Sequence, residues 1–391
     1  MSNFFNNKNI IFIYLFYVLF CLNFYLIFFI EQFPDRFVYT DWMITYEGGY
    51  IRRGFLGQII LILSNFFDLK FKYILLTFQI TFYSLYILIL GNLIRRIEIN
   101  FFWLIVFFTP LAFLYPISEL EALGRKDIII LFIFLIFTFV NFNSVKIYFL
   151  FFIFIFFIST LIHEISFFFI HFYILIFLIK TKYFLKKKIN YNYLLIFFIF
   201  LIITLLLNIL TINSVDLSKI TNVYDNEKIT ENFGAIKYLT GSIFDHVNMT
   251  INKITLLGII RYSFIYFISF FPFLFFLNLK TKLFNFIQFN YLIYFLSIAI
   301  LPLFLLIIDW GRLLYLNYNF LLILTLYLFL HGYVDTDSLK KKILNISKFK
   351  KILIFIVFCL AFSPKILLTD DLSGLPLIKS LPKVAGYILY R

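Results

Sequence analysis

The sequence contains little charge and almost no cysteine. Charged residues make up 14% of its 391 positions, whereas 63% are hydrophobic and 23% are aromatic. Soluble domains are about 45–50% apolar, so a soluble fold could not bury this much hydrophobic surface. The two cysteines, Cys21 and Cys359, lie in separate apolar runs and predict neither a disulfide framework nor a metal site. These absences exclude a soluble globular protein and a disulfide-stapled one.

Nucleotide-binding and hydrolase motifs are missing as well. The sequence has no P-loop, no dinucleotide-binding fingerprint and no nucleophile elbow. The net charge is +14, but the basic residues form short clusters between apolar runs, so no nucleic-acid partner is expected. Energy for a synthetic reaction would therefore have to arrive in the substrate, as it does in a lipid-linked sugar phosphate.

Apolar runs of about 17–23 residues recur along the chain, and each is long enough to cross a bilayer as a helix. None alternates in the way that a transmembrane β-strand requires. We predict an all-α fold, a polytopic integral membrane helical bundle forming one transmembrane domain over 1–391, with about eleven spans. The expected spans are 10–30, 72–93, 100–116, 127–142, 148–163, 165–180, 193–212, 256–278, 289–308, 313–332 and 351–368.

The basic clusters predict the orientation of these spans. Cytoplasmic loops are rich in Lys and Arg, so the loops 180–192 and 333–351 are placed inside with the N-terminus. Shorter clusters at Arg95, Arg96, Lys146, Lys280 and Lys282 follow the same assignment. The larger loops 31–70 and 213–255 then lie outside, as does the C-terminus, and the expected location is a bacterial inner membrane.

One apolar segment, Gly54 to Phe67, is too short to cross the membrane alone. If it did cross, every later basic loop would move to the outer side. We therefore expect a re-entrant or interfacial helix near 54–67 on the outer face.

The first outer loop carries acids, glycines and paired arginines. Its candidate catalytic residues are Asp35, Asp41 and Glu47, and Arg52 and Arg53 are candidates for binding phosphate. The arginines precede the short helix, whose N-terminal N–H groups favour an anion. The alternative is that both arginines are snorkelling anchors and the glycines only shape the loop.

Two further polar segments open or close apolar runs. Arg125 and Lys126 place positive charge at the start of a helix and are candidate phosphate ligands, or belong to a charged helix boundary in which Glu121 pairs with Arg125. His163 and Glu164 lie between two apolar runs with almost no room for a loop, and ionisable groups at this depth are costly. They are candidate catalytic residues, the alternative being a tight, solvated turn.

The fourth segment, Asp309 to Arg312, separates two long apolar runs. Asp309 is a candidate catalytic residue and Arg312 a candidate phosphate ligand, unless the two simply pair across the turn. All four segments fall on the predicted outer side. We therefore expect them to line one cavity that opens to the outside.

Three short motifs resemble the bacterial polysaccharide polymerases of the EpsG and Wzy type. They are Leu-Gly-Arg-Lys-Asp at 123–127, Leu-Ile-His-Glu-Ile-Ser at 161–166 and Arg-Leu-Leu-Tyr at 312–315, and the likeness spans roughly 119–320. An acidic residue in the first outer loop, Asp35 or Asp41, is similar to the layout of GT-C glycosyltransferases that use polyprenyl-phosphate sugars. These resemblances imply a GT-C-like membrane fold.

The function expected from these features is an envelope polysaccharide (O-antigen or exopolysaccharide) polymerase. It would join undecaprenyl-pyrophosphate-linked repeat units on the extracytoplasmic face, with a carboxylate as base and the basic residues holding the pyrophosphate. The alternatives are a GT-C glycosyltransferase that uses a polyprenyl-phosphate sugar and a non-enzymatic flippase of lipid-linked sugars. Expected partners are membrane lipids, undecaprenyl-linked saccharides and other polysaccharide-assembly proteins. No cofactor or metal site is predicted, and the participation of a divalent cation stays open.

Overall fold

The computed structural model describes residues 8–186, 191–210, 216–224, 229–230, 233–239, 243–278, 296, 299–360 and 362–369, most of which are helical. These residues form two compact units. Unit 1 comprises Met1–Tyr25, Tyr83–Leu123 and Ile243–Arg391, and unit 2 comprises Leu26–Phe82 and Gly124–Ser242.

Seventeen α-helices are found among the described residues. They are α1 Lys8–Phe29, α2 Phe37–Trp42, α3 Gly54–Phe67, α4 Phe71–Ile94, α5 Phe101–Phe108, α6 Tyr115–Ser118, α7 Asp127–Phe139, α8 Val145–Ile162, α9 Ile170–Ile179, α10 Tyr191–Leu210, α11 Leu217–Asn222, α12 Ile243–Ile251, α13 Leu256–Phe276, α14 Leu301–Leu306, α15 Trp310–Leu330, α16 Thr336–Leu344 and α17 Lys348–Cys359.

Six helical segments among the described residues are long and apolar enough to cross a membrane. They are Lys8–Gln32, Phe71–Ile94, Val145–Ile162, Glu164–Tyr183, Leu256–Phe276 and Trp310–Leu330. The chain is therefore a helical membrane protein, as the composition predicted. The remaining predicted spans are shorter helices or extend beyond the described residues.

The predicted span 100–116 is not one helix. Helix α5 ends at Phe108, and Thr109 has an extended backbone with φ −58° and ψ 142°. The next residue is Pro110, whose ring disfavours a helical conformation in the residue before it. The chain resumes as the single turn α6, so this stretch contributes two short helices in place of one long span.

In unit 1, α15 is the central helix, and every residue from Trp310 to Leu328 is buried. The Tyr318 hydroxyl donates to the Val106 carbonyl oxygen at 2.8 Å, which ties α15 to α5. The buried Asn319 amide donates to Leu111 and Tyr315 carbonyl oxygens at 3.0 and 2.9 Å. It also accepts at 3.3 Å from the Tyr86 hydroxyl. Polar side chains thus fix the register of an otherwise apolar core.

A second buried asparagine on α15 behaves differently. In the described part of the chain, neither the oxygen nor the nitrogen of the fully buried Asn317 amide has a hydrogen-bond partner. An unpaired buried amide costs about 1–3 kcal/mol. At Gly91 on α4, an added Cβ would make ordinary van der Waals contacts, 3.8 and 3.9 Å from the Leu15 and Phe12 side chains.

The basic segments of unit 1 gather at one end of its helices. The Lys8 ammonium donates to the Arg95 carbonyl oxygen at 3.0 Å, and Lys340 pairs with Glu98 at 2.9 Å. Lys342 donates to the Phe275 carbonyl oxygen at 2.6 Å, beside the end of α13. These segments share a side in the predicted topology, and within unit 1 they lie together.

Unit 2 is built around α7, α8 and α9, with α3 packed on α8 and α2 on α3. Aromatic rings fill its core: Phe137 stacks on Tyr148 with ring centroids 5.3 Å apart, and Phe152 stacks on Phe197 at 4.2 Å. The buried Lys180 ammonium donates to the Phe137 and Val140 carbonyl oxygens at 3.1 and 2.6 Å. It thereby satisfies the open C-terminal end of α7.

Helix α3 has the bounds expected for the short outer segment, Gly54–Phe67. One face is buried, while Ile62, Phe66 and Phe67 on the other are exposed. Several other sequence predictions lie outside the described residues: the start of the span 289–308, parts of the loop 213–255, the tail 370–391, and the basic residues Lys187, Lys188, Lys280 and Lys282.

Candidate functional site

The most polar part of unit 2 is centred on Arg53. Its guanidinium Nε lies 2.9 and 2.8 Å from the two carboxylate oxygens of Glu164, and its Nη2 also donates to Glu164. On its other edge, Nη1 is 3.4 Å from Asp41 Oδ1. One guanidinium therefore bridges two carboxylates that come from α2 and from the start of the 3₁₀ turn after α8.

The backbone of Arg53 is strained. Its φ is 68°, in the left-handed region, at the position immediately before α3. A residue with a side chain in this region costs about 1–3 kcal/mol and persists only where its surroundings enforce it. This left-handed conformation directs the Arg53 carbonyl and side chain toward the polar cluster, and α3 begins at the next residue.

Lys126 supplies part of that enforcement. Its ammonium is fully buried and donates to the carbonyl oxygens of Asp41 at 2.7 Å and Arg53 at 2.8 Å. It also lies 3.8 Å from Asp41 Oδ2 and 5.8 Å from the Trp42 ring centroid. Lys126 thus holds together the backbones of the two segments that carry Asp41 and Arg53. The sequence had suggested phosphate binding for this residue, but its contacts favour backbone positioning.

Arg52 has fewer partners than its neighbour. Its Nη2 donates to the Tyr238 carbonyl oxygen at 2.8 Å, and its Nη1 lies 3.8 Å from Glu164 Oε1. Its buried Nε has no hydrogen-bond partner in the described part of the chain. Burial lowers the pKa of the Arg52 guanidinium, Glu164 opposes that shift, and Arg53 adds to it. Because Arg52 is incompletely satisfied, an anion would supply what it lacks.

His163 and Glu164 follow the last residue of α8, as the sequence indicated. Extended backbone at His163, with φ −162° and ψ 129°, ends the helix, and a 3₁₀ turn begins at Glu164. His163 Nδ1 accepts from the Ile165 backbone N–H at 3.2 Å and lies 3.3 Å from Glu164 Oε2. The imidazole is buried, so this contact fixes its orientation beside the carboxylate.

Glycine allows α2 and α3 to approach each other. A Cβ at Gly57 would overlap the carbonyl oxygens of Ile44 and Trp42, so only glycine fits there. Tyr46 packs against α3 and stacks on Tyr50 with ring centroids 5.6 Å apart. Burial, and the neighbouring Tyr50, raise the pKa of Tyr46.

Described parts of the second large loop, 213–255, contact the first large loop, 31–70. The Asp216 N–H donates to the Gly48 carbonyl oxygen at 3.0 Å, and the Ala235 N–H donates to Thr40 Oγ1 at 2.8 Å. With the Tyr238 carbonyl on Arg52, this loop contacts the segment 31–70 directly beside both Asp41 and Arg53. No feature of the sequence predicted this contact.

Three other predicted residues of unit 2 lie differently. Asp35 and Glu47 are exposed, and Glu47 accepts from the Gln58 amide at 2.9 Å. Arg125 is buried, and its guanidinium carbon lies 5.4 Å from the Phe37 ring centroid, a cation–π distance. The six residues that the structure brings together are Asp41, Arg52, Arg53, Lys126, His163 and Glu164, hereafter the unit 2 cluster.

Unit 1 has a polar group of its own at the start of α15. Asp309 Oδ2 lies 3.7 Å from Arg312 Nη1, which is the pairing that the sequence offered as the simpler alternative. Sequence reasoning missed a second pair, in which the buried Glu119 carboxylate lies 3.0 Å from the Lys365 ammonium. Lys365 belongs to a segment that was expected to be part of a span, so its charge was the only signal.

The two groups differ in charge. The unit 2 cluster has three bases against two carboxylates, whereas the two pairs of unit 1 balance. An anionic ligand is therefore favoured at the unit 2 cluster. Among the described residues, no group of three or more His, Cys, Asp or Glu side chains is arranged to hold a metal ion.

No protein-family model, curated protein or solved structure matches this chain.

Proposed function

We propose that this membrane protein is a glycosyltransferase that joins sugars carried on polyprenyl phosphate or pyrophosphate, acting as a polysaccharide polymerase on the extracytoplasmic face of a bacterial inner membrane. The observation that carries the proposal is the convergence of two guanidiniums and two carboxylates in unit 2. Arg52 and Arg53 are adjacent in sequence, Asp41 lies 3.4 Å from Arg53, and Glu164 contacts both arginines.

This combination suits glycosyl transfer from a lipid-linked phosphate. The acceptor hydroxyl oxygen forms a bond to the anomeric carbon while the bond from that carbon to the phosphate oxygen breaks. The leaving phosphate gains negative charge, which guanidinium groups stabilise by paired hydrogen bonds. The acceptor hydroxyl loses a proton, which a nearby carboxylate accepts.

The contacts suggest different roles for the two carboxylates. Glu164 is held by both Nε and Nη2 of Arg53, whereas the Asp41 carboxylate lies farther from its basic neighbours, at 3.4 and 3.8 Å. We therefore assign proton acceptance to Asp41 and phosphate binding to Arg52 and Arg53. Lys126 fixes the backbone on which Asp41 and Arg53 are carried.

The same cluster also suits a transferase that adds one sugar to a lipid-linked chain, because that reaction needs the same base and the same phosphate contacts. The feature that favours this second candidate is the acidic Asp41 in the first large loop, a position similar to the layout of GT-C glycosyltransferases. A polymerase differs from it in taking two lipid-linked substrates.

The test is the surface glycan of a strain that lacks the gene, complemented with wild type, Asp41→Asn or Arg53→Gln. Membrane abundance of each variant is measured alongside, and Glu31→Gln is the matched control because Glu31 is an exposed carboxylate of the same loop. Loss of long polymer with single lipid-linked repeats remaining supports the polymerase. One sugar missing from each repeat supports the single-sugar transferase, and unchanged glycan in every variant overturns both.

A further inference from the structure

The guanidinium edge of Arg53 that would best hold a phosphate already holds a carboxylate. Nε contacts both oxygens of Glu164, at 2.9 and 2.8 Å, and Nη2 donates to the same group. Paired, side-by-side hydrogen bonds of this kind are the geometry in which arginine binds carboxylate and phosphate alike. An anion reaching this edge has to compete with Glu164.

The surroundings of Glu164 also resemble an anion-binding site. Arg52 Nη1 lies 3.8 Å from Glu164 Oε1, so a second guanidinium faces the same carboxylate. Neither side chain is sealed off, since Arg53 and Glu164 are 20% and 22% exposed. The pair is therefore within reach of a ligand from solvent or from the lipid surface.

The incomplete hydrogen bonding of Arg52 favours replacing the Glu164 carboxylate by a larger anion. Its buried Nε has no hydrogen-bond partner in the described part of the chain, and at 3.8 Å its contact with Glu164 is longer than a hydrogen bond. A phosphate has more acceptor oxygens and more charge than a carboxylate, so it can engage both guanidiniums at once. Glu164 satisfies the Nε–Nη2 edge of Arg53 but engages Arg52 only at 3.8 Å.

We propose that Glu164 is an internal stand-in for the phosphate group of the ligand and that a phosphate or pyrophosphate displaces it from the Arg52–Arg53 edge. The proposal rests on the proposed function for the identity of the anion. It makes Glu164 a competitor of the ligand, so its removal strengthens anion binding. A purely structural Glu164, or one acting only as a base, would not have this effect.

The experiment measures inorganic pyrophosphate binding to the full-length protein in nanodiscs of zwitterionic phosphatidylcholine. The protein has three tryptophans, so Trp103→Phe and Trp310→Phe leave Trp42 as the sole reporter. Trp42 lies next to Asp41, and its indole N–H donates to the Gly124 carbonyl oxygen at 2.7 Å. Its emission therefore reports on the unit 2 cluster.

In this background, Glu164→Gln is expected to tighten pyrophosphate binding by about tenfold, because a charge-assisted pair no longer opposes the ligand. Arg53→Gln should weaken pyrophosphate binding. In the double variant, Arg53→Gln with Glu164→Gln, the gain in affinity seen with Glu164→Gln alone should be lost. Glu31→Gln removes the same charge at an exposed site next to Lys72, so the affinity should change by less than about twofold. If Glu164→Gln fails to fold, Glu164→Asp should tighten binding by a smaller factor, because the shorter side chain withdraws the carboxylate.

Unchanged or weaker affinity in Glu164→Gln and Glu164→Asp, together with weaker affinity in Arg53→Gln, would overturn the displacement while leaving the proposed function standing. Absence of pyrophosphate binding in every variant would overturn the displacement and the anion site together. The glycan phenotype of the Asp41 and Arg53 variants decides the proposed function separately.

Discussion

Replacing Lys126 by methionine removes a buried ammonium while keeping most of the aliphatic stem. In the native protein this ammonium donates to the Asp41 and Arg53 carbonyl oxygens at 2.7 and 2.8 Å. Both carbonyls lose a charged donor in the variant. The left-handed backbone of Arg53 then loses one of the contacts that hold it in place.

The expected loss of stability follows from these contacts. A hydrogen bond to a charged group contributes about 1.5–3 kcal/mol, and removing one partner of a buried ionic contact costs about 3–5 kcal/mol. The Lys126 side chain is fully buried, so water cannot replace the missing donor without rearrangement. We expect Lys126→Met to lower the free energy of unfolding by about 3–5 kcal/mol.

The assay is unfolding of the purified protein by SDS titration in mixed micelles, with tryptophan emission as the signal. Trp42 lies 5.8 Å from the Lys126 ammonium, so its emission should also shift in the folded variant. Lys70→Met is the matched control, because Lys70 is an exposed lysine of the same unit and its loss should change stability by less than about 0.5 kcal/mol. A decrease below about 1 kcal/mol in Lys126→Met would refute the assigned role.

Three further predictions concern packing, buried polarity and pH. Gly57→Ala should lower the free energy of unfolding by about 1–3 kcal/mol, because the added Cβ would overlap backbone oxygens. The control Gly91→Ala should be nearly neutral. Equal losses of stability would contradict the close approach of α2 and α3. Asn317→Leu should stabilise the protein in the same unfolding assay, whereas Asn319→Leu should destabilise it, because among these two amides only that of Asn319 is hydrogen-bonded in the described part of the chain. Destabilisation by both variants would show that Asn317 has a partner. Burial raises the pKa of Tyr46, so the contribution of this residue to the free energy of unfolding is fully present below the unfolded tyrosine pKa of about 10 and is lost as the pH rises beyond it. Tyr46→Phe should therefore flatten the decline in stability at alkaline pH. An unchanged slope would contradict this.

Local composition was sufficient to predict a helical membrane protein. Long apolar runs require helices in a bilayer, because every backbone polar group must be satisfied internally. The apolar segment 54–67 was recognised as too short to cross the membrane from its length alone. Helix α3 spans Gly54–Phe67, as expected. The prediction was wrong over 100–116, where Pro110 imposes an extended residue and divides the helix.

The sequence also identified the residue types of the unit 2 cluster. Charged side chains at the boundaries of apolar runs are costly, so Asp41, Arg53, Lys126 and Glu164 could be selected without a structure. Which of them pair could not be predicted. Arg53 and Glu164 are 111 residues apart, and only the packing of α3 against α8 brings them into contact.

Tertiary structure likewise decided the partners of each charged side chain. Lys126 and Arg52 are both basic residues beside a helix start, yet one is fully buried on two carbonyl oxygens and the other keeps an unpaired Nε in the described part of the chain. The Glu119–Lys365 pair of unit 1 was missed for the same reason. Composition and periodicity fix where a chain must be helical and where charge is costly, but the partner of each charge depends on distances that only the packed helices define.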